Sequence, residues 1–255
     1  MAEIIAVIPA RMNSSRFPGK PLARLLGRPM IEHVFRRTAA CNELSDVLIA
    51  TCDPEIARAV EGFGGRAVMT SPLHERATER VAEAVASRKG ADIVVMVQGD
   101  EPMIQPGMIS AALQPLLSEP QLGCVNLVSA LKTLDDVHDP NTIKVVRARN
   151  GNALFFSRAP IPSPRNQPFV ADQWWKQVCI IPFRRPSLER FAALPPTPLE
   201  VAESIDMLRL LEHGIAIRLV PTDIDTHAVD TPQDLAAVEA LLARDPLSES
   251  YLAAR

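Results

Sequence analysis

Short apolar runs alternate with amphipathic stretches along the first half of the chain. Residues 4–8, 46–51, 67–70 and 93–97 are brief, rich in Val, Ile and Ala, and bounded by turn residues. That is the pattern of strands buried on both faces. Between them lie segments whose apolar positions recur at helical spacing. One begins at Pro29 and carries Met30, Ile31, Val34 and Phe35. Residues 54–63 carry Ile56, Ala59 and Val60, and residues 78–88 carry Val81, Ala82 and Val85. These predict helices, with Pro29 opening the first and Gly64-Gly65 closing the second. Residues 106–117 add a further helix and 123–130 a further strand. Strand and helix in alternation predict an α/β fold, with a mostly parallel sheet covered by helices on both faces.

The middle of the chain changes character. Residues 143–148 and 153–156 flank Asn150-Gly151 and predict a hairpin. Residues 157–168 are proline-rich and predict irregular structure. Then come a strand within 177–183, helices over 187–193 and 199–213, a strand over 215–221 and a helix over 231–244. Thr231-Pro232 supplies that helix with an N-cap and a first-turn proline. The chain holds no internal repeat and no low-complexity linker. The expectation is one domain over 1–255, with a strand-rich insertion at 130–185 and a loose tail at 246–255.

Candidate chemistry sits where the strands end. The first strand runs into a loop with Arg11, Asn13, Ser14, Ser15, Arg16 and Lys20, stiffened by Pro9, Pro18 and Pro21. Such a loop is either a solvated basic turn or a phosphate site at the carboxyl edge of a parallel sheet. The strand 93–97 leads at once into Gln98-Gly99-Asp100-Glu101. Asp100 there either ends a turn or holds Mg²⁺, which typically takes one or two carboxylates plus phosphate and water oxygens. Asp230 either caps the helix that follows it or supplies a second carboxylate to the same ion. Thr78, near a helix start, is a candidate anion or nucleotide contact. Arg158, in a proline-stiffened loop after the hairpin, is either an anion clamp or a surface salt-bridge partner.

Composition narrows the field. With 255 residues, 47% hydrophobic, the chain can build a sizeable core. A net charge of −3 argues against a general nucleic-acid binder, so any anion site is a local concentration of cations. No apolar run approaches a membrane span, and the N-terminus lacks the pattern of a secretory signal, so a cytoplasmic location is expected. Four dispersed cysteines and five dispersed histidines offer no zinc or redox spacing, and the cysteines are expected to be free and buried. Neither GxGxxG after the first strand, nor a P-loop, nor GxSxG occurs. Loop cations for phosphates and carboxylates for Mg²⁺ fit nucleotidyl transfer better than hydrolysis or hydride transfer.

Read together, IPARMNSSRFPGKPL, VQGDEP, PNTIKVV, FSRAPIP, TPLE and VDTPQDL stand in one order across about residues 4–242. In these motifs the chain resembles the sugar-activating cytidylyltransferases, in particular the CMP-Kdo synthetase (3-deoxy-manno-octulosonate cytidylyltransferase) family. The resemblance implies a nucleotide-diphospho-sugar transferase fold, a homodimer, CTP, Mg²⁺ and an anionic sugar-acid acceptor in surface polysaccharide synthesis. It places Ala10, Arg11, Ser15, Arg16, Lys20, Thr78 and Gln98 on the nucleotide side. Asp100 and Asp230 become the Mg²⁺ ligands, and with Arg11 and Lys20 form the catalytic set. Gln98, Arg158, Gln177, Ile181, Glu203 and Met207 fall on the acceptor side.

The chain also departs from the family pattern. Gln177 stands at the usual histidine of HxGIYxY and Ile181 at its first tyrosine. Residues 204–209 read SIDMLR where the family reads SLEQLR, and residues 74–78 read HERAT where it reads HxSGT. Fewer polar partners on the sugar side imply a changed acceptor pocket. Two alternatives follow: a different anionic acceptor, such as another sugar acid or a phosphonate, or an inactive nucleotide-binding protein.

Overall fold

The first apolar run forms β1 (Ile4–Ala10), all seven residues of which are buried. Its burial on both faces explains the unbroken apolar sequence. The computed structural model describes residues 2–13, 16–164, 170, 173–224 and 226–253. Contacts divide the chain into two compact units, one of residues 1–110 and 226–255 and one of residues 111–225.

In the first unit a 3₁₀ turn (Lys20–Leu22) precedes a two-stranded ladder, β2 (Arg24–Leu25) and β3 (Arg28–Pro29). Helix α1 (Met30–Ala39) follows directly. Next come β4 (Asp46–Thr51), α2 (Pro54–Gly62), β5 (Arg66–Met69), α3 (Ala77–Val85) and β6 (Ile93–Val97). β1 lies between β4 and β6, and β5 pairs with β4, all parallel. In register, Ala10 faces Thr51 and Val7 faces Met96. The carboxyl ends of β1, β4 and β6 therefore share one edge. The β2–β3 turn puts Leu26 and Gly27 at positive φ (49° and 80°). That suits a tight hairpin but is unusual for leucine. Leu26 tolerates it because its side chain packs against a cluster of Leu25, Met30, Val229, Val238 and Leu242.

Helix α4 (Pro106–Ser118) leads into the second unit. There β7 (Val125–Ala130), α5 (Leu134–His138), β8 (Lys144–Arg147), β9 (Ala153–Ser157), β10 (Trp175–Val178) and β11 (Ile180–Arg184) follow. Then come α6 (Arg185–Ala193), α7 (Pro198–Glu203), α8 (Met207–Glu212) and β12 (Arg218–Pro221). The hairpin predicted around Asn150-Gly151 is β8–β9. β7 does not extend the parallel series: it takes β12 in parallel on one side and β10 antiparallel on the other. The single helix expected over 199–213 is two helices. Ser204 is left-handed (φ 54°) and breaks it, and the break is held by a buried ion pair. Arg209 donates from Nε and Nη2 to the two oxygens of Glu200, both at 2.7 Å, and stacks over Phe191 at 4.2 Å.

The chain then returns to the first unit as α9 (Pro232–Leu242) and α10 (Pro246–Leu252). The expectation of a loose tail at 246–255 is corrected for its described part. α10 is docked by Arg37, whose side chain is wholly buried. Arg37 pairs with Asp245, and donates to Ser248 Oγ at 3.2 Å and to the Ile104 carbonyl at 2.7 Å. His33 Nε2–H donates to the Leu25 carbonyl, leaving Nδ1 to accept from the Tyr251 hydroxyl at 2.8 Å. Burial lowers the His33 pKa, which favours this neutral form. No periodicity in seven residues announces such a helix, because tertiary hydrogen bonds hold it. All four cysteines are free; Cys41 and Cys124 are buried, and Cys52 and Cys179 partly so.

Burial raises the Asp245 pKa, but hydrogen bonds and charge from Arg37 and bonds from Ser248 outweigh it and hold the carboxyl below its ordinary value. A depressed carboxyl stabilises the fold above its unfolded pKa, and that contribution is lost as pH falls through the folded value. Asp245→Asn is expected to cost about 3 kcal/mol at neutral pH by stranding the buried Arg37. Urea titrations at neutral and acid pH should show the gap between variant and parent closing as the carboxyl protonates.

Candidate active site

The loop leaving β1 is closed by its own backbone. Gly19, at φ 75°, donates its amide to the Met12 carbonyl at 2.9 Å. The Met12 amide donates to Asp53 Oδ2 at 2.8 Å. Asp53 stands at the N-cap position of α2 but makes no side-chain cap there. Its carboxylate is spent on the loop instead, so the ends of β1 and β4 together fix where the loop turns. Lys20 follows in the 3₁₀ turn and reaches back to the sheet edge.

There the ammonium of Lys20 donates three hydrogen bonds: to Asp100 Oδ2 at 2.7 Å, the Val229 carbonyl at 2.9 Å and Asp230 Oδ1 at 3.1 Å. Arg16 Nη2 donates to the same Asp230 oxygen at 2.9 Å. Two acids that are 130 residues apart in sequence thus share the Lys20 ammonium. Burial pulls the Lys20 pKa down, but Asp100 and then Asp230 more than compensate, and it stands above its ordinary value.

The neighbours explain why both acids point here. Gly99 sits so close to β1 that a Cβ would lie 2.8 Å from the Pro9 carbonyl oxygen. Only glycine lets β6 end there, with Asp100 as the next residue. The Val229 amide donates to the Asp100 carbonyl at 2.9 Å and brings the segment before α9 to the sheet edge. The capping alternative for Asp230 is answered by Thr231 and Asp234. Thr231 Oγ1 accepts from the Asp234 amide, and Asp234 Oδ2 accepts from the amides of Asp230 and Thr231 at 3.0 and 2.7 Å. This reciprocal box caps α9 and leaves the Asp230 carboxylate to Lys20 and Arg16. Burial would raise the Asp234 pKa, but the Thr231 hydroxyl, the two amides and Lys20 bring it below its usual value.

The remaining nucleotide-side residues lie in the same unit. Ala10 ends β1 and is buried, Arg11 is exposed and Gln98 is half-buried. Thr78 is buried in the first turn of α3, with its hydroxyl donating to Met96 Sδ at 3.7 Å. Ser15 lies outside the described residues. In the segment before α3, His74 pairs with Glu83 and lies 3.9 Å from Glu79.

Apart from Gln98, the acceptor-side residues belong to the second unit. Glu203 is their centre: it accepts from Ser157 Oγ at 2.6 Å and from the Arg158 amide at 2.8 Å. The Arg158 guanidinium donates to the carbonyls of Glu203 at 2.8 Å and Pro140 at 3.0 Å. Neither sequence alternative for Arg158, anion clamp or surface salt bridge, describes these bonds: it ties three loops together. Gln177 Nε2 donates to Asn126 Oδ1 at 2.6 Å. Ile181 and Met207 are 2% and 1% exposed. Both are buried, against the expectation of an open acceptor surface at these positions. Apolar residues at those positions fill a core, which accounts for them without a new substrate.

As a donor set, Asp100 and Asp230 suit a hard cation. No group of three His, Cys, Asp or Glu side chains able to hold a metal occurs among the described residues. A pair of carboxylates completed by phosphate and water oxygens is the donor set Mg²⁺ typically takes, whereas a structural zinc site requires more protein ligands. Asp53 and Asp234 are functional-site residues that sequence reasoning missed. Asp53 could have been found as an acid just past the carboxyl end of a parallel strand. Asp234 could have been found as the fourth residue of a capping box.

A family model described as cytidylyltransferase matches residues 5–218. The 3-deoxy-manno-octulosonate cytidylyltransferase of Geobacter metallireducens is 47% identical over 251 residues, covering 95% of this chain and 98% of its own. That of Syntrophobacter fumaroxidans is 44% identical over 244 residues, covering 95% and 98%. A solved structure of CMP:2-keto-3-deoxy-manno-octonic acid synthetase complexed with CTP superposes with a TM-score of 0.87 at 41% identity, covering 95% of this chain and 99% of its own. A cytidylyltransferase from Leptospira borgpetersenii shares the fold at 15% identity, with a TM-score of 0.67 over 98% of this chain and 90% of its own.

Gly99→Ala is expected to force β1 and β6 apart and to destabilise the protein by about 1–3 kcal/mol. Chemical denaturation measures the cost. A variant as stable as the parent would show that the close approach to Pro9 is not needed.

Proposed function

The chain belongs to the cytidylyltransferase family, and from that premise we propose that it transfers CMP from CTP to the anomeric hydroxyl of 3-deoxy-manno-octulosonate, with release of pyrophosphate. The observation that carries this reading is Lys20 and Arg16 gathered with Asp100 and Asp230 at one sheet edge. Relatives at 47% identity over nearly the whole chain carry the name of that activity, which supports the same acceptor here. Two of the departures from the family pattern, Ile181 and Met207, are buried in a core.

In this mechanism the triphosphate lies along the loop cations. Arg11, Arg16 and Lys20 neutralise its charge and stabilise the charge that builds on the departing pyrophosphate. Asp100 and Asp230 would hold Mg²⁺; the chemistry such an ion supplies is polarisation of the α-phosphate. Asp53 and Gly19 hold the loop backbone through the Met12 amide and carbonyl, which keeps its cations near the sheet edge. The acceptor hydroxyl attacks the α-phosphorus in line, and no covalent enzyme intermediate is required. In the second unit, Ser157, Arg158 and Glu203 form a rigid frame for the acceptor, with Gln177 as a polar contact. The same reading makes the protein a cytoplasmic homodimer that activates a sugar acid for surface polysaccharide. No described helix is long and apolar enough to cross a membrane.

Pyrophosphate release with CTP, Mg²⁺ and 3-deoxy-manno-octulosonate tests the reaction; no release with this acceptor overturns it. Asp100→Asn should lower turnover on the order of a thousandfold, from losing several kcal/mol of charge stabilisation, while the fold survives. Near-parental rates would remove Asp100 from the mechanism.

A further inference from the structure

All three N–H groups of the Lys20 ammonium are committed, two of them to the carboxylates assigned to the cation. The Lys20 side chain is only 12% exposed, so water screens it little. A divalent cation binding between Asp100 and Asp230 would meet this ammonium at close range. The same ammonium is the group that a triphosphate would draw toward itself. We propose that Lys20 acts as an internal counterion competing with the divalent cation for Asp100 and Asp230, so that the cation gains both carboxylates only when a triphosphate draws the ammonium away. The inference rests on the nucleotidyltransferase reading for the identity of the triphosphate, but the competition itself is a property of three side chains.

Competition has a thermodynamic signature. Where the carboxylates are free of Lys20 in only a small fraction of molecules, apparent cation affinity falls by that fraction. Simple proximity of positive charge predicts something else, since Arg16 also bonds Asp230. The Arg16 side chain is 46% exposed and screened by solvent, so its removal should matter far less. Lys20 also keeps Asp100 and Asp230 from repelling each other, and its removal should leave a protein that a divalent cation stabilises.

The test measures Mn²⁺ binding to the full-length protein without nucleotide, from the free-ion electron paramagnetic resonance signal. Lys20→Met is expected to bind Mn²⁺ at least about tenfold more tightly than the parent. Lys20→Gln keeps hydrogen-bond donors for the two acids, guards against misfolding and should behave alike. Arg16→Met should change the affinity by less than about threefold. Thermal melts should show MgCl₂ raising the midpoint of both Lys20 variants more than that of the parent. Equal or weaker Mn²⁺ binding in both Lys20 variants, or as large a gain in Arg16→Met, overturns the competition. Calorimetric titration of the parent with CTP in MgCl₂ is read separately. Absence of CTP binding overturns the nucleotide reading and the release step, whatever the Mn²⁺ measurements give.

Discussion

A single ammonium shared by two carboxylates holds the first unit's sheet edge in its working form. Asp100 and Asp230 arrive there on different elements, one at the end of β6 and the other just before α9. Brought together without a cation, they would repel in a partly buried setting. Lys20 makes the juxtaposition tolerable, and its third bond, to the Val229 carbonyl, ties the arriving segment to the loop after β1. The backbone bond from Val229 to Asp100 works in the same direction. The site is thus also a joint, through which the chain's return to the first unit is fastened.

The second unit solves a related problem with cations turned to structural use. Lys144 is buried and donates to three carbonyls, those of Asp139, Thr142 and Arg158, at 2.6–2.7 Å. Burial lowers its pKa, against the opposing pull of Asp139 and Glu203. With Arg158 bonded to further carbonyls and Glu203 gathering Ser157 and the Arg158 amide, an irregular stretch becomes a fixed frame. A loop pinned by charged side chains in low dielectric is stiffer than one pinned by water-exposed pairs. In the proposed reaction, such stiffness would keep a polar acceptor steady.

Particular residues show how far the sequence could be read. Strands β1, β4 and β6 were legible because burial on both faces leaves an unbroken apolar run, whereas the two-residue strands β2 and β3 carry no such run. The hairpin at Asn150-Gly151 was legible because the turn demands those residues. Asp100 and the cations of the loop were legible from their place at strand ends. The split at Ser204 was not, because the buried Glu200–Arg209 pair that stabilises it joins positions on two separate helices. Nor was α10, whose anchors Arg37 and His33 lie some two hundred residues earlier.

The sequence by itself determined the alternating strands and helices between β1 and β6, which strand ends carry charge and, through its ordered motifs, the family. Each of these follows from local spacing, since hydrophobic period, turn chemistry and motif order are properties of neighbouring residues. Only the tertiary structure decided that Asp230 serves Lys20 rather than the helix, that Arg158 braces loops, and that Ile181 and Met207 are core. A carboxylate, a guanidinium or an aliphatic side chain has the same local signature in either role. Its partner decides, and the partner is brought near only by folding.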